Sequence, residues 1–175
     1  MAVVASRESF PAYVRRDGAA LARLATRLTG RVVDGEDLAQ DVLERLARNW
    51  GSAAALDNLD AYARRALINL SRTRHRRRQA EREALARLKS QSTFPATGAA
   101  GAAGAAEDTE TEDGLWASVR ALPGRQPAVI ALVVLEDRSH VEVAAILGIS
   151  AANARQIYHR ACVRLRLHVK VIAVQ

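Results

Sequence analysis

The sequence predicts an all-α protein: two small helical bundles joined by a flexible, acidic, Ala/Gly-rich linker, the second bundle containing a helix-turn-helix. Of its 175 residues 49% are hydrophobic but only 4% aromatic, and a core poor in aromatic residues favours helical bundles over sandwiches or barrels. Apolar residues recur at helical spacing on both sides of residues 90–114. That segment combines Gly/Ala repeats with five acids and no base, so it has almost nothing to bury.

The first bundle is expected within residues 1–89. Helical periodicity covers residues 8–30, with one irregularity around Asp17-Gly18. Asp34 is a suitable N-cap for a second helix that ends near Trp50, and residues 51–58 form a loop. A long helix follows from Leu59 to about Lys89. Its core-facing stripe is predicted to contain Tyr62, Ala63, Ala66, Leu67 and Leu70.

The second bundle is expected within residues 115–175. It begins with a helix over 115–122, a turn at Pro123-Gly124 and an apolar helix over 126–137. The apolar tail over 167–175 either prolongs the last helix or frays.

A helix-turn-helix follows in the second bundle. Ser139 is a candidate N-cap, and Glu142 three residues later completes a capping box. Gly148 supplies the left-handed residue that ends this helix, and Ser150 caps the next one. In a helix-turn-helix the second helix enters the DNA major groove. The alternative is an ordinary helical hairpin with one solvent-exposed face.

On that second helix the polar side chains share one face and suit base edges or phosphates. The candidate DNA-binding residues here are Ser150, Ala152, Arg155, Gln156, His159 and Arg160.

A second basic surface lies on the long helix of the first bundle. Residues 61–89 carry 10 basic and 2 acidic side chains, for +8, within a chain of net charge +7. Arg-rich faces match phosphate geometry, and Asn offers a paired donor and acceptor to a base edge. A solvated cationic helix and an RNA-binding surface without sequence preference are the alternatives. The candidate residues of this surface are Arg64, Arg65, Asn69, Arg72, His75 and Arg76.

An acidic face precedes it on the second helix. Side chains three and four residues apart line one side of a helix, and here they are Asp34, Glu36, Asp37, Gln40, Asp41 and Glu44. The positive end of the helix dipole suits the early acids. The helix dipole explains Asp41 and Glu44 less well, because they lie further along the helix. A basic protein partner is therefore the other interpretation of this acidic face.

Several function classes find no support. The single Cys162 excludes an internal disulfide, and no Cys/His metal framework, catalytic constellation or phosphate-cradling glycine loop is present. We therefore expect no catalytic residue, metal or cofactor. No signal-peptide core or membrane span is evident, so a cytoplasmic protein is expected.

Two motifs in this order resemble the extracytoplasmic-function group of bacterial RNA polymerase sigma factors. The stretch Asp34-Gly-Glu-Asp-Leu-Ala-Gln-Asp-Val42 is similar to the family's Asp-Ala-Glu-Asp-Leu-Val-Gln-Glu-Thr, and Leu122-Pro-Gly-Arg-Gln-Pro-Ala-Val129 stands ahead of the helix-turn-helix. Residues 7–78 resemble sigma region 2 and residues 115–168 sigma region 4.

This resemblance implies a non-enzymatic sigma factor that binds core polymerase and both promoter elements. The acidic face would dock on the β′ clamp helices. The basic face and the loop before it, with Asn58 and Asp60 as its polar candidates, would hold the minus-ten element. The helix from Ala151 would read the minus-thirty-five element. The linker would thread the active-site and RNA-exit channels of the polymerase, whose β subunit is also an expected partner. The free protein is expected to be a monomer, with an anti-sigma factor as a further partner.

Three departures from the family pattern stand out. Tyr62 replaces a usual Trp, and Arg138 replaces a usual Gly before Ser139. Ala154-Arg-Gln-Ile157 replaces a common Val-Lys-Ser-Arg run, so no promoter sequence carries over. The rival interpretations are a free-standing helix-turn-helix transcriptional regulator and, less favoured, an RNA-binding protein or a nucleic-acid-modifying enzyme.

Overall fold

The computed structural model describes residues 8–92 and 112–172, with side chains for 8–88 and 112–166. Every regular element in these ranges is helical. The first four helices are α1 Phe10–Thr29, α2 Val32–Arg48, the short α3 Trp50–Ala53, and α4 Leu59–Ser92. The others are α5 Glu112–Arg120, α6 Gln126–Ile130 with its π-helical continuation Ala131–Leu135, α7 His140–Leu147 and α8 Ala151–Ile172. The predicted all-α class is confirmed.

The predicted linker lies mostly outside the described residues. Its two ends are described and are helical, because residues 90–92 continue α4 and residues 112–114 open α5. The long helix therefore ends three residues later than predicted, and the first helix of the second bundle begins three residues earlier. At the other end of the chain, α8 continues to Ile172, so the first part of the ambiguous tail prolongs the helix.

Helix α1 is continuous where an irregularity was predicted. Its start is capped by Ser9, whose Oγ accepts from the Ala12 N–H at 3.4 Å, and Gly30 ends it at φ 83°. The irregular residue Asp17 points inward and is only 7% exposed. A charged residue on the buried side disturbs the hydrophobic pattern without breaking the helix.

Helix α2 begins two residues before the predicted N-cap. Arg31 occupies the cap position without a side-chain hydrogen bond, and Asp34 lies within the first turn, so the N-cap prediction for Asp34 was wrong. Gly30 ends α1, and Arg31, in an extended conformation, precedes α2. Only these two residues separate the two helices. Gly35 lets them approach closely, because a Cβ there would lie 2.6 Å from the backbone N of Thr26.

Part of the predicted loop 51–58 is the single turn α3. The buried side of α4 is also rotated from the prediction. Ala63 and Leu67 are buried as expected, but Tyr62 is 50% exposed and Ile68, predicted on the opposite arc, is 2% exposed. The predicted core-facing stripe assumes that α4 packs only within the first bundle, whereas α4 also contacts α7 of the second bundle.

The two bundles share one continuous hydrophobic core, which contains Leu21 and Leu67 of the first and Leu132 and Val143 of the second. Helix α1 packs against α5 and against the π-helical turn, while α4 packs against α7. Around this contact Arg27 of α1 pairs with Glu112 and lies 5.4 Å from the ring centre of Trp116. We call this the docked arrangement.

Candidate functional site

The helix-turn-helix has the caps that the sequence predicts. Ser139 Oγ accepts from the Glu142 N–H at 3.3 Å, and the Ser139 N–H donates to Glu142 Oε2 at 2.9 Å. Gly148 ends α7 in the left-handed region at φ 63°. Ser150 Oγ accepts from the Asn153 N–H at 3.2 Å and so caps α8. The motif is built as expected, which fixes the direction of α8.

The turn that enters α7 explains how Arg138 replaces the usual glycine. Asp137, the preceding residue, takes the positive φ of 51°, so Arg138 needs no left-handed conformation. The Arg138 N–H donates to Leu132 O at 3.0 Å, and its guanidinium donates to Glu142 Oε1 at 3.0 Å. Hydrogen bonds from the Ser139 hydroxyl and backbone, then from Arg138, lower the pKa of Glu142 to about 2.

The first prediction concerns pH. Because the folded pKa of Glu142 lies below its ordinary 4.5, its stabilising contribution is present above pH 4.5 and is lost as pH falls through about 2. The melting temperature of the protein should exceed that of Glu142→Gln at pH 6, with the difference vanishing near pH 2. Thermal unfolding followed by circular dichroism measures this. Glu83→Gln, on the exposed part of α4, is the control, and a difference independent of pH would contradict the role of Glu142.

Helix α8 presents the predicted recognition face to solvent. Ala154 and Ala161 are fully buried on its inner side. All six predicted DNA-binding side chains are exposed, namely Ser150, Ala152, Arg155, Gln156, His159 and Arg160. Within the described side chains, neither Arg155 nor Arg160 has an ion-pair partner. This face combines two unneutralised guanidinium groups with a glutamine amide, the chemistry that suits phosphates and base edges.

The basic face of α4 is only partly accessible. Arg65, Asn69, His75 and Arg76 are exposed and Arg72 is half-buried. The remaining member, Arg64, is 2% exposed. In the docked arrangement five of the six helical candidates therefore reach solvent.

Arg64 lies at the junction of the two bundles. Its Nε donates to Glu136 Oε2 at 2.5 Å, and its Nη2 donates to Asp17 Oδ1 at 3.3 Å. Burial alone lowers the pKa of Arg64, but the hydrogen bond and charge of Glu136 outweigh it and raise that pKa. Arg64 of α4 thus joins a carboxylate of α1 to one at the end of the π-helical turn, and Arg16 and Arg138 pair with the same two carboxylates.

The loop candidates Asn58 and Asp60 have structural partners at the start of α4. Asn58 Oδ1 accepts from the Ala61 N–H at 2.8 Å, the geometry of an N-cap. Asp60 Oδ1 accepts from Arg16 Nη2 at 2.7 Å. Asn58, which is exposed, thus caps α4, and Asp60, in the first turn of α4, joins that helix to α1.

The acidic face of α2 divides into two parts. Glu36, Asp37, Gln40 and Glu44 are exposed. Asp34 accepts two hydrogen bonds of 3.0 Å from Arg78, which lower its pKa, and Asp41 lies 2.5 Å from Arg74 Nη2.

Arg74 and Arg78 of α4 therefore neutralise two of the six candidates. Gln40 donates to Glu44, which also accepts from Arg48 at 3.0 Å. Asp37 has no ion-pair partner among the described side chains.

Sequence reasoning missed the buried network around Arg64. Its members lie 47 and 72 positions from Arg64 along the chain, too far apart for any local pattern to connect them. The one available signal was Asp17, a charge within an apolar helical pattern.

No group of His, Cys, Asp or Glu in the described part of the chain could hold a metal ion. Among those same residues no helix is long and apolar enough to cross a bilayer.

Comparison with known proteins places two family models on this chain. The model for sigma-70 region 2 matches residues 13–81, and the model for sigma-70 region 4 matches residues 119–167. The RNA polymerase sigma-E factor of Streptomyces avermitilis is 34% identical over 157 residues, which is 90% of this chain and 83% of the relative. The Streptomyces coelicolor sigma-E factor is 33% identical over 157 residues, covering 90% of this chain and 84% of that protein.

The same fold occurs in a solved structure, the sigma factor RpoE of Bartonella quintana in complex with the anti-sigma factor NepR. The match has a TM-score of 0.67 at 24% identity and covers 93% of this chain and 97% of that one. Since the match spans both helical bundles, it supports the overall architecture described above.

Proposed function

The chain belongs to the extracytoplasmic-function group of RNA polymerase sigma factors, and from that premise we propose which surface performs each step. Region 2 occupies residues 1–89, residues 90–114 connect the regions, and region 4 occupies residues 115–175. The protein directs core RNA polymerase to promoters and so initiates transcription. It supplies binding and strand capture, and bond chemistry belongs to the polymerase. Its place of action is the cytoplasm, with the polymerase.

The observation that carries this proposal is the face of α8. The six side chains predicted to contact DNA are all exposed, on α8 or at its N-cap Ser150. The caps of α7 and α8 fix where α8 begins and the direction in which it runs. Arg155 and Gln156 are assigned to base edges of the minus-thirty-five element, and Arg160 and His159 to phosphates or bases nearby. The small Ala152 allows the start of the helix to enter the major groove.

The exposed part of the α4 face is assigned to the minus-ten element. Arg65 and Arg76 offer phosphate contacts, and Asn69 offers an amide to a base edge. Asn58, just before α4, and Asp60, in its first turn, are the candidates for holding a splayed base by polar contacts. Arg64 joins this surface only when region 4 moves away from region 2, because it is buried in the docked arrangement.

The exposed carboxylates of α2 are assigned to the clamp helices of the β′ subunit. Asp37 and Glu44 are its accessible charges, with Glu36 and Gln40 beside them. Asp34 and Asp41 serve to attach α2 to α4 through Arg78 and Arg74. An anti-sigma factor is a further proposed partner, covering the acidic face and region 4.

The second prediction tests the polymerase surface. Asp37→Arg with Gln40→Arg places two positive charges where a basic partner should dock, while leaving the ion pairs of Asp34 and Asp41 intact. Like charges brought together at an interface cost several kcal/mol, so binding to core polymerase should fall by a factor of about 100 or more. Co-purification with core polymerase and run-off transcription on fragmented genomic DNA measure binding and promoter use.

The control is Glu83→Arg, a charge reversal on the exposed part of α4. It should retain polymerase binding, and both proteins should keep the wild-type circular dichroism. Undiminished co-purification of a folded Asp37→Arg/Gln40→Arg protein would remove the acidic face from the polymerase interface.

A further inference from the structure

A deep cleft lies between α4 and the start of region 4. It has a volume of about 590 Å³, within the range of pockets that take small ligands. One wall is the basic side of α4, and the other is Arg120 with the turn Ala121–Gly124. Six arginines line it, and Asp34 is the one carboxylate among its described lining residues. They are Arg72, Arg74, Arg76, Arg78, Arg82 and Arg120.

Most of this positive charge has no carboxylate partner. Asp41 and Asp34 pair with Arg74 and Arg78. In the described part of the chain no ion pair involves the other four arginines of the cleft. Four guanidinium groups without partners around one concavity repel one another unless an anion enters.

Arg120 is held in place on the region 4 side of the cleft. Its Nη1 donates to the backbone carbonyl of Arg27 at 3.4 Å, and its side chain packs against Gly30, the left-handed cap of α1. Burial, together with the charge of Arg27, outweighs the attraction of Asp113 and lowers the pKa of Arg120. A half-buried guanidinium held in place is already oriented for a ligand.

The lining indicates the class of ligand. Guanidinium forks match phosphate oxygens two at a time, and several of them around one cleft favour more than one phosphate. Leu28, Ala121 and Pro127 add an accessible apolar part to the wall, which suits the ring of a nucleoside. We propose that this cleft binds a small oligophosphate, either free or carried by a nucleoside.

The position of the cleft gives its ligand a regulatory effect, and this step rests on the proposed function. The minus-ten and minus-thirty-five elements are about 25 base pairs apart, or roughly 85 Å at 3.4 Å per base pair. Two regions that share one core cannot reach both elements, so they separate on the promoter. A ligand between Arg72 of region 2 and Arg120 of region 4 binds the docked arrangement alone. It therefore stabilises that arrangement and opposes promoter engagement.

The test of the site uses the full chain without polymerase or DNA, so its outcome is independent of the proposed function. Tripolyphosphate, a nucleoside triphosphate and orthophosphate are titrated calorimetrically at constant ionic strength and without divalent metal. Tripolyphosphate and the nucleotide should bind at one site per chain, and orthophosphate at least about tenfold more weakly. Equal affinity for tripolyphosphate and the nucleotide would mean that the cleft recognises the phosphates alone. Tighter binding of the nucleotide would mean that the apolar wall also contacts the nucleoside.

Matched arginine variants locate the site. Arg72→Gln and Arg120→Gln should each weaken tripolyphosphate binding by about tenfold or more, since each removes a charge-assisted contact. Arg77→Gln, also on α4 but paired with Glu81 and outside the cleft, should bind within about twofold of wild type. Equal weakening in all three variants would mean diffuse charge attraction and overturn the proposal. The proposal would also be overturned if folded Arg120→Gln bound tripolyphosphate with wild-type affinity. The same holds if a short acidic peptide competed for the site as strongly as tripolyphosphate does.

The regulatory effect is tested separately by run-off transcription. Incubating the sigma factor with tripolyphosphate before core polymerase is added should reduce transcription by the wild type but not by Arg120→Gln. Binding in the calorimeter with equal inhibition of both proteins would leave the site standing and overturn its regulatory role.

Discussion

Arg64→Met is expected to weaken the docked arrangement of regions 2 and 4 by about 1–3 kcal/mol, the usual cost of leaving buried polar groups without one of their hydrogen-bond partners. Arg64 is 2% exposed and contacts Glu136 at 2.5 Å and Asp17 at 3.3 Å. Without the guanidinium, Asp17 still pairs with Arg16 and Glu136 with Arg138, but the contact that links the two regions is lost. The two carboxylates regain water most easily if region 4 moves away from region 2.

The measurement for Arg64→Met is small-angle X-ray scattering together with circular dichroism. The radius of gyration should rise while helix content is retained. Because a neutral partner removes part of the unpaired charge, Arg64→Met/Glu136→Gln should recover part of the compactness. Arg77→Met, on the same helix but exposed and paired with Glu81 of that helix, should scatter like wild type. A compact Arg64→Met protein with unchanged stability would contradict the role given to this network.

Leu38→Ala is expected to destabilise the whole of region 2 by about 2–5 kcal/mol. Leu38 is fully buried on α2, which packs chiefly on α1 and α4. Truncating a buried leucine removes apolar contact and leaves a cavity that neighbours fill only partly. Unlike the charge left by Arg64→Met, this loss is not relieved when the regions separate.

Chemical denaturation measures the Leu38→Ala effect as a lower unfolding midpoint. Val33→Ala is the matched control, because Val33 lies on the same helix but is 62% exposed. It should stay within about 0.5 kcal/mol of wild type. A midpoint unchanged by Leu38→Ala would show that the core of region 2 is not centred on α2.

The local elements of this fold were predictable to within a few residues. Ser139, Glu142 and Gly148 set the limits of α7 through contacts that span only a few positions, so sequence alone reveals them. The outward face of α8 followed from periodicity in the same way, since Ala154 and Ala161 mark its inner side. The exact start of α2 did not follow, because Arg31 occupies the N-cap without a capping side chain, whereas the residue pattern favoured Asp34.

The faces of α4 show what periodicity cannot decide. Tyr62 and Ile68 exchanged their predicted environments, because a helical pattern records how apolar a face is but not which neighbour covers it. The same holds for the acidic face of α2. The residue pattern assigned Asp34 and Asp37 to the same face. Only the tertiary structure shows that Asp34 pairs with Arg78, whereas Asp37 is exposed.

The sequence by itself thus determined the helices, the helix-turn-helix and the family, since each depends on residues close together along the chain. The tertiary structure decided the rest: the docking of region 4, the burial of Arg64 and the cleft beside Arg120. The physical reason is that a buried charge is stable only where opposite charges meet it. Asp17 and Glu136 reach Arg64 from 47 and 72 residues away, a distance that only folding closes.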